Sequence, residues 1–470
     1  MRDGSYMICA ALFIMMHIPN RSPTDLVAPI ERMFELSAGK IQSLERTWTP
    51  ADGAPVFTVE GRYRSRGWTE WTQGFQFGSA VLQFDATGDQ AFLDLARTRT
   101  IERMASHLTH VGVHDHGFNN VSTYGGLWRL AQEGRIEAPD WEVRFYELAL
   151  KVSGAIQARR WTPIPGGGFI HSFNGAQSLF VDTIRSLRAL AVSHRLGHSL
   201  VEEQDARVNL LERLIQHASA TAQYAVYYGK GRDTYDVRGR VAHESVFNVT
   251  DGSYRSPSSQ QGYSPFSTWT RGLAWAMLGF AEQLEFIGTV PDDELAAFGG
   301  RGAVNAWMMD AARATCDFYI EDATAADGVP YWDTGAPDLS ALKDWKTRPA
   351  DPFNDHEPVD SSAAAIAAQG LLRFGHLLGQ GGRTYTQAGL QVLAALLDET
   401  GPYLSTDPDH QGLLLHSIYH RPNGWDHVPE GSRIPRGESS QWGDYHLREA
   451  AVLARRLALG ERYPTFFASA

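Results

Sequence analysis

The sequence predicts an all-α fold, and three observations carry that prediction. Ten or eleven segments place apolar residues at helical spacing. No stretch alternates strands with helices as a parallel sheet would. No repeat of fixed period and no clear linker divides the 470 residues. A chain of many helices without repeats closes most simply as a toroid of paired helices, an (α/α)6 barrel, with its long loops gathered at one end. A solenoid would need the missing repeat signature. Residues 24–470 are read as one barrel domain and residues 1–23 as an N-terminal extension.

Taken in order, Leu26 to Arg46 is amphipathic through Leu26, Ile30, Met33, Phe34, Leu36 and Ile41. A Pro/Gly-rich connection reaches Arg66, and Trp68 to Gly78 leads into a second helix that ends at Ala86-Thr87-Gly88-Asp89. Phe92 to Leu108 is the third. After the loop His110 to Asn120, helices are expected at Trp141–Arg159, Ala176–Arg195 and Val201–Tyr228, with a Gly-rich loop over Pro163–Gly175. Asp/Gly turns and short β-branched runs between Tyr228 and Arg255 predict a hairpin excursion. Helices resume at Ser267–Phe286, Asp292–Tyr319, Asp360–Leu378, Tyr385–Leu397 and Glu438–Leu459. The loops between Thr324 and Val359 and between Gly401 and Gly437 are long and aromatic.

The helix opened by Ser267 or Thr268 is the most informative. Trp269, Leu273, Ala276, Met277, Phe280 and Leu284 form its buried face, while Arg271 and Trp275 lie one turn apart near its start. A guanidinium beside indole rings is a grip for an anionic sugar, the charge held bidentately and the rings stacked on the pyranose. The competing reading is an arginine paired with an acidic neighbour in the core.

Composition narrows the partners. The net charge of −12 argues against nucleic acid and against an anionic membrane surface. Two cysteines, Cys9 and Cys316, make no disulfide framework. Thirteen tryptophans are many, and an indole face matches the C–H face of a sugar. The apolar run Met7 to Met16 is too short to span a bilayer and lacks a basic lead and a cleavage motif, so a cytoplasmic location is expected, with the periplasm as the alternative should that run act as a signal.

Two carboxylates stand out. Asp115 lies in His114-Asp115-His116-Gly117-Phe118, a loop entering a helix. On a helical projection Asp182 faces away from the apolar stripe Phe180, Ile184, Leu187 and Ala191, beside Ser178, Ser186 and Ala189. On an inner helix that face lines the lumen, and two carboxylates in one dry pocket raise each other's proton affinity. The plainer readings are a helix cap for Asp115 and a solvated Asp182. His114 and His116 form an H-x-H, yet neither Asp115 nor His416 and His420 falls at a metal-ligand spacing, and no metal or other cofactor is expected.

Several motifs in order resemble the unsaturated glucuronyl hydrolases of glycoside hydrolase family 88, from about Trp68 to Leu459. They are Trp71-Thr72 with Gly74-Phe75, His114-Asp115 with Gly117-Phe118, Asp182 opening D-x-I-x-x-L, and Gln261-Gly262-Tyr263-Ser264 with Trp269, Arg271-Gly272 and Ala274-Trp275. Val329 to Asp333, Asp360 to Ala365, Leu414-Leu415-His416 with Tyr419-His420, and Trp442 to Tyr445 complete the set. The resemblance implies an (α/α)6-barrel catalytic domain, monomeric or homodimeric, acting on oligosaccharides that carry a 4,5-unsaturated uronate at the non-reducing end. Family members hydrate the C4=C5 vinyl ether, after which the ring opens and the remaining sugar leaves. By position, Asp182 matches the general acid/base and Asp115 the second carboxylate. His243 and Gln261 match polar groups around the ring, and Trp71, Trp269, Arg271, Trp275 and Tyr419 match the cleft walls.

The chain departs from the family where Gln260-Gln261-Gly262 stands for His-Gln-Gly, Pro265-Phe266 for Asp-Asp and Arg271-Gly272-Leu273 for Arg-Gly-Gln. These changes are expected to alter a neighbouring subsite. The alternatives are another (α/α)6 glycosidase on a saturated uronide or a rhamnogalacturonan-type disaccharide, an epimerase of the toroid class, which would want several central histidines, and a non-catalytic glycan-binding barrel, which would need neither aspartate.

Overall fold

The computed structural model describes residues 16–67 and 70–467. The Met7 to Met16 run, Cys9 and Trp68 therefore lie outside the described residues, Met16 excepted. Among these residues twelve helical segments of seven residues or more follow one another: α1 (Val27–Thr47), α2 (Gln73–Thr87), α3 (Gln90–Arg103), α4 (Gly126–Gln132), α5 (Asp140–Arg159), α6 (Arg188–Arg195), α7 (Leu210–Tyr224), α8 (Thr270–Ile287), α9 (Gly300–Phe318), α10 (Ser361–Leu378), α11 (Arg383–Leu397) and α12 (Gln441–Leu459). The short helix His116–Asn120 and a π-turn, Val121–Gly125, lead into α4, and the short helix Thr183–Ser186 leads into α6.

Side-chain chemistry sets the ends. Asn209, Asp360 and Ser440 accept backbone N–H groups at the starts of α7, α10 and α12, satisfying donors that would otherwise be orphaned. Gly88 and Gly460 take left-handed conformations after α2 and α12, which glycine adopts without strain.

Even-numbered helices form an inner ring. α8 packs on α10, α10 on α12, α12 on α2, α2 on the segment leading into α4, and α6 with its short lead closes back onto α8. Odd-numbered helices cover them, with α3 on α2, α5 on α6, α9 on α8 and α11 on α10. The burial pattern follows. Nearly every residue of α8, α10 and α12 is buried, whereas α1 buries only one stripe, Ile30, Met33, Phe34, Ile41 and Leu44 among it. This is the (α/α)6 barrel that the helix count predicts.

Among the described residues nine short strands make four small sheets outside the ring. They are β1 (Pro55–Val59) with β2 (Arg62–Ser65), β3 (Trp161–Ile164) with β4 (Gly167–Ile170), β6 (Leu200–Val201) with β7 (Arg207–Val208), and the three-stranded order β5 (Ser178–Phe180), β8 (Glu244–Phe247), β9 (Tyr254–Ser258). The expected hairpin after Tyr228 is β8–β9. Two expectations are corrected. Pro163–Gly175 is mostly a hairpin, because Gly166 supplies a positive φ at its turn. Ala176–Arg195 is not one helix, because Ser178–Phe180 pairs with β8 and helix begins only after Asp182. Among the described residues no helix is long and apolar enough to cross a membrane.

Inside the ring lies a network of buried charge. Arg185 pairs with Glu282 and, at 2.9 Å, with Glu449, which Arg188 also reaches at 3.4 Å. Arg373 pairs with Glu285 at 3.0 Å. Burial opposes the charge on Glu449, but Arg185 and Arg188 outweigh it and hold the carboxyl far below its ordinary range. Removing one partner leaves buried charge uncompensated. Glu449→Gln is expected to lower unfolding free energy by about 3–5 kcal/mol in urea titrations. A loss under about 0.5 kcal/mol would mean that water solvates the two arginines.

Candidate active site

At the loop-bearing end of the ring a cavity of about 640 Å³ opens. Its floor is built by two short elements. β5 pairs with β8, and Val181 N–H donates to the His243 carbonyl at 2.9 Å, so the chain emerges with Asp182 beside His243. Asp115 stands at the start of the helix 116–120, and Asp182 at the start of 183–186. Neither carboxylate makes a capping hydrogen bond. The capping reading for Asp115 is thus excluded, as is the solvated reading for Asp182, which is buried. Asp182 reaches the cavity from a strand-to-helix junction and not from a helix face.

His114 lies between the two acids. Its Nε2 is 3.1 Å from Asp182 Oδ1 and 3.8 Å from Asp115 Oδ1. The imidazole sits between Phe173 and Phe180, and its carbonyl accepts from Gln157 at 2.8 Å and from Ser186 at 2.7 Å. His116 points elsewhere, toward Ser153 and the His110 carbonyl, so the H-x-H does not converge. Among the described residues no group of three or more metal-ligating side chains gathers.

The neighbours split the two acids. Burial pushes Asp115 up, only partly opposed by His114, and Asp182 adds to the rise. Asp182 is buried too, but the hydrogen bond and charge of His114, with help from Arg271, bring it below its ordinary value. Burial likewise opposes protonation of His114, yet Asp115 and Asp182 outweigh it and raise the imidazole. Asp182 is therefore the readier of the two acids to ionise, His114 beside it holds a proton more readily than a free imidazole, and Asp115 is the acid that holds its proton more tightly.

Trp71, Trp269, Trp275, Arg271, Gln261 and Tyr419 all line the cavity. Trp269 stands at the N-cap position of α8 instead of lying along its apolar stripe, and its buried ring lines the cavity. Arg271 is saturated. It pairs with Asp360 at 2.8 Å and donates to the carbonyls of Ile418 and Tyr419 and to Gln261 Oε1 at 3.0 Å. The paired reading holds, and Arg271 fixes the wall without offering a free fork. His243 stands behind the wall, where its Nδ1 accepts the N–H groups of Gln260 and Gln261 at 3.0 and 3.3 Å while the ring packs on Phe180 and Trp269. Burial pushes it down to about 4, so it is neutral.

Sequence reasoning missed His114 as the partner of Asp182, although the His-Asp-His loop was visible. It also missed the wall residues Phe173, Asn174, His420, Asn423 and Trp425. Phe173 and Asn174 sit on the loop read as Gly-rich, and His420, Asn423 and Trp425 on the long aromatic one.

A helical toroid with a sugar-sized, tryptophan-walled cavity over two uncapped carboxylates is the architecture of a carbohydrate-active enzyme. Comparison narrows the class. No family model matches the chain. It is 25% identical to an unsaturated glucuronyl hydrolase of Formosa agariphila over 394 residues, 83% of this chain and 81% of that protein. It is 25% identical to an unsaturated chondroitin disaccharide hydrolase of Streptococcus pyogenes, covering 84% of each. The crystal structure of the unsaturated glucuronyl hydrolase of Bacillus sp. GL1 superposes with a TM-score of 0.68 at 21% identity, over 91% of this chain and 96% of that one. Over more than four fifths of its length the chain is thus similar to unsaturated glucuronyl hydrolases.

The His114–Asp182 pair bounds a pH window. The raised imidazole contributes stability that is full below its unfolded value near 6.5 and is lost as pH rises through the folded value. The lowered carboxyl contributes stability that is present above about 3.9 and is lost as pH falls through its folded value. Thermal unfolding followed from pH 5 to 9 is expected to show a decline above neutrality that His114→Asn abolishes. An unchanged decline in the variant would assign it to another group.

Proposed function

We propose that the protein releases a 4,5-unsaturated uronic acid from the non-reducing end of an oligosaccharide by adding water across C4=C5. The observation that carries the reading is the His114–Asp182–Asp115 cluster, uncapped and open to a cavity walled by indoles. An aspartate-to-asparagine variant of the Streptococcus agalactiae enzyme, 17% identical with a TM-score of 0.61 over 93% of each chain, is known in complex with dGlcA-GalNAc6S, and a ligand of that kind suits such a cavity.

In the reaction Asp182 transfers a proton to C4, drawn from the proton that it shares with His114. The double bond supplies the electron pair for the new C4–H bond, and positive charge develops at C5, shared with the ring oxygen. Water adds its oxygen to C5 and returns a proton to the Asp182–His114 pair, so the enzyme regains its starting state. The resulting hemiketal opens by breaking the C5–ring oxygen bond to leave a C5 ketone. The hemiacetal left at C1 then expels the rest of the sugar as an alcohol. Asp115 lies within the same buried cluster, where its negative form stabilises the cation at C5 and its neutral form binds a hydroxyl. Trp71 and Trp269 stack on the ring, and Gln261, held by Arg271 and by the backbone bonds to His243, presents its amide.

Retention or inversion is not at issue, because the glycosidic bond is not the one attacked. The asymmetry of the acids has a kinetic consequence. A substrate carboxylate entering beside Asp182 raises that group, which favours proton delivery only once substrate is bound.

The test is the loss of ultraviolet absorbance from the conjugated C4=C5 acid on mixing enzyme with unsaturated disaccharides from chondroitin, heparin, xanthan-type and ulvan-type lyase digests. Asp182→Asn is expected to lower kcat about 10³-fold. Wild-type activity on none of the four, or an Asp182→Asn variant as fast as wild type, would sink the reading.

A further inference from the structure

A second groove of about 520 Å³ adjoins the catalytic cavity, and Glu70 and His110 belong to the walls of both. It runs between the connection after α1 and the end of α3, with Trp48, Gln73, Gln76, Arg99 and Arg103 along it. Its size falls within the range of built ligand sites, roughly 300–1,000 Å³.

Its two guanidinium groups differ. Arg99 is neutralised by Glu45 at 2.5 Å and by Glu102 at 2.5 Å. Arg103, one turn later and half-buried, makes no side-chain hydrogen bond or ion pair among the described residues. A half-buried cation with nothing to neutralise it gains most from an anionic ligand. Trp48 is pinned by a 2.8 Å bond from its indole N–H to the Gly53 carbonyl, which fixes its ring as a platform. His107 below is pushed down to about 4 by burial and adds no charge. Glu70 at the shared wall repels an anion, so a charged substituent is favoured only deeper in, toward Arg103.

We infer that this groove is an extended subsite for the sugars beyond the bond being cleaved. An acidic group, uronate or sulfate ester, on a ring past the first aglycone sugar pairs with Arg103, and a neighbouring pyranose stacks on Trp48. The inference rests on the reaction proposed above, since the chain that leaves C1 must exit the cavity over one of its walls, and the wall of Glu70 and His110 leads into this groove.

The experiment compares an unsaturated disaccharide with an unsaturated tetrasaccharide of the same polymer bearing an acidic third sugar. The expected result is a tetrasaccharide kcat/KM about tenfold above that of the disaccharide, reduced to the disaccharide level by Arg103→Gln through KM and weakened by Trp48→Ala. Disaccharide turnover stays within about twofold of wild type in both variants, which also reports that they fold. Equal effects on both substrates, or none on either, would overturn the subsite. If the wild type turns over neither substrate, the proposed reaction fails separately. Calorimetric binding of the tetrasaccharide to Asp182→Asn, with and without Arg103→Gln, then decides the groove: a loss of affinity in the double variant upholds it, and equal affinity overturns it.

Discussion

Arg271 and Asp360 sit at the starts of neighbouring inner helices, and their 2.8 Å pair ties together two of the segments that wall the cavity. Asp360 caps α10 with one oxygen and holds Arg271 with the other. Arg271 then reaches the carbonyls of Ile418 and Tyr419 and the amide of Gln261, so the segments around 261 and 418 are fixed to two rigid helices. A buried ion pair stabilises only when its remaining donors and acceptors are satisfied, because desolvation otherwise cancels the Coulomb gain. Here both carboxylate oxygens and both terminal guanidinium nitrogens are occupied. Asp426 extends the arrangement by accepting the backbone N–H groups of Tyr419 and His420. The pair acts as a latch, and the position of the aromatic wall depends on it.

The same economy governs the acids. Asp115 and Asp182 are the same residue type, equally buried, and share one cavity, yet their proton affinities move in opposite directions. The difference lies in the hydrogen bond that His114 makes to Asp182 and not to Asp115. A pair of carboxylates read from sequence predicts crowding and raised affinity for both. The geometry divides the two roles through one imidazole that no pairwise count of acids would include.

The fold was legible because its signal is periodic. The apolar spacing in α8, α10 and α12 survives into nearly complete burial, and the missing strand–helix alternation excludes the parallel-sheet barrels. Asp115, Asp182 and the walls from Trp71 to Tyr419 were legible from motifs in order along the chain. The strand Ser178–Phe180 was not, since three residues paired with a partner more than sixty positions away carry no local periodicity. Phe173, Asn174 and Trp425 were hidden for the same reason, being brought to the cavity by loops that tertiary contacts place. Arg271 shows the limit in another way: sequence put it at the site, and only the position of Asp360 decides that its charge is already spent.

Along the inner ring the character of the buried side chains changes in layers, and this gradient accounts for the dryness of the site. Farther along α8 and α12 than Trp275 and His446 lie Glu282 and Glu449, paired with Arg185 and Arg188. Nearer the helix starts Phe75, Phe118, Trp275 and His446 pack on one another, tilted or edge to face, with Phe118 and Trp275 centroids 4.9 Å apart and Trp275 and His446 also 4.9 Å apart. Trp275 and Phe118 belong to both this plug and the cavity wall. The charged layer is stable because its members satisfy one another. The aromatic layer keeps that charge from water on one side and removes water from the acids on the other. Burial can therefore raise Asp115 against the pull of His114 only while the plug is intact, so the packing of α2, α8 and α12 sets the proton affinity of a group that none of them contains.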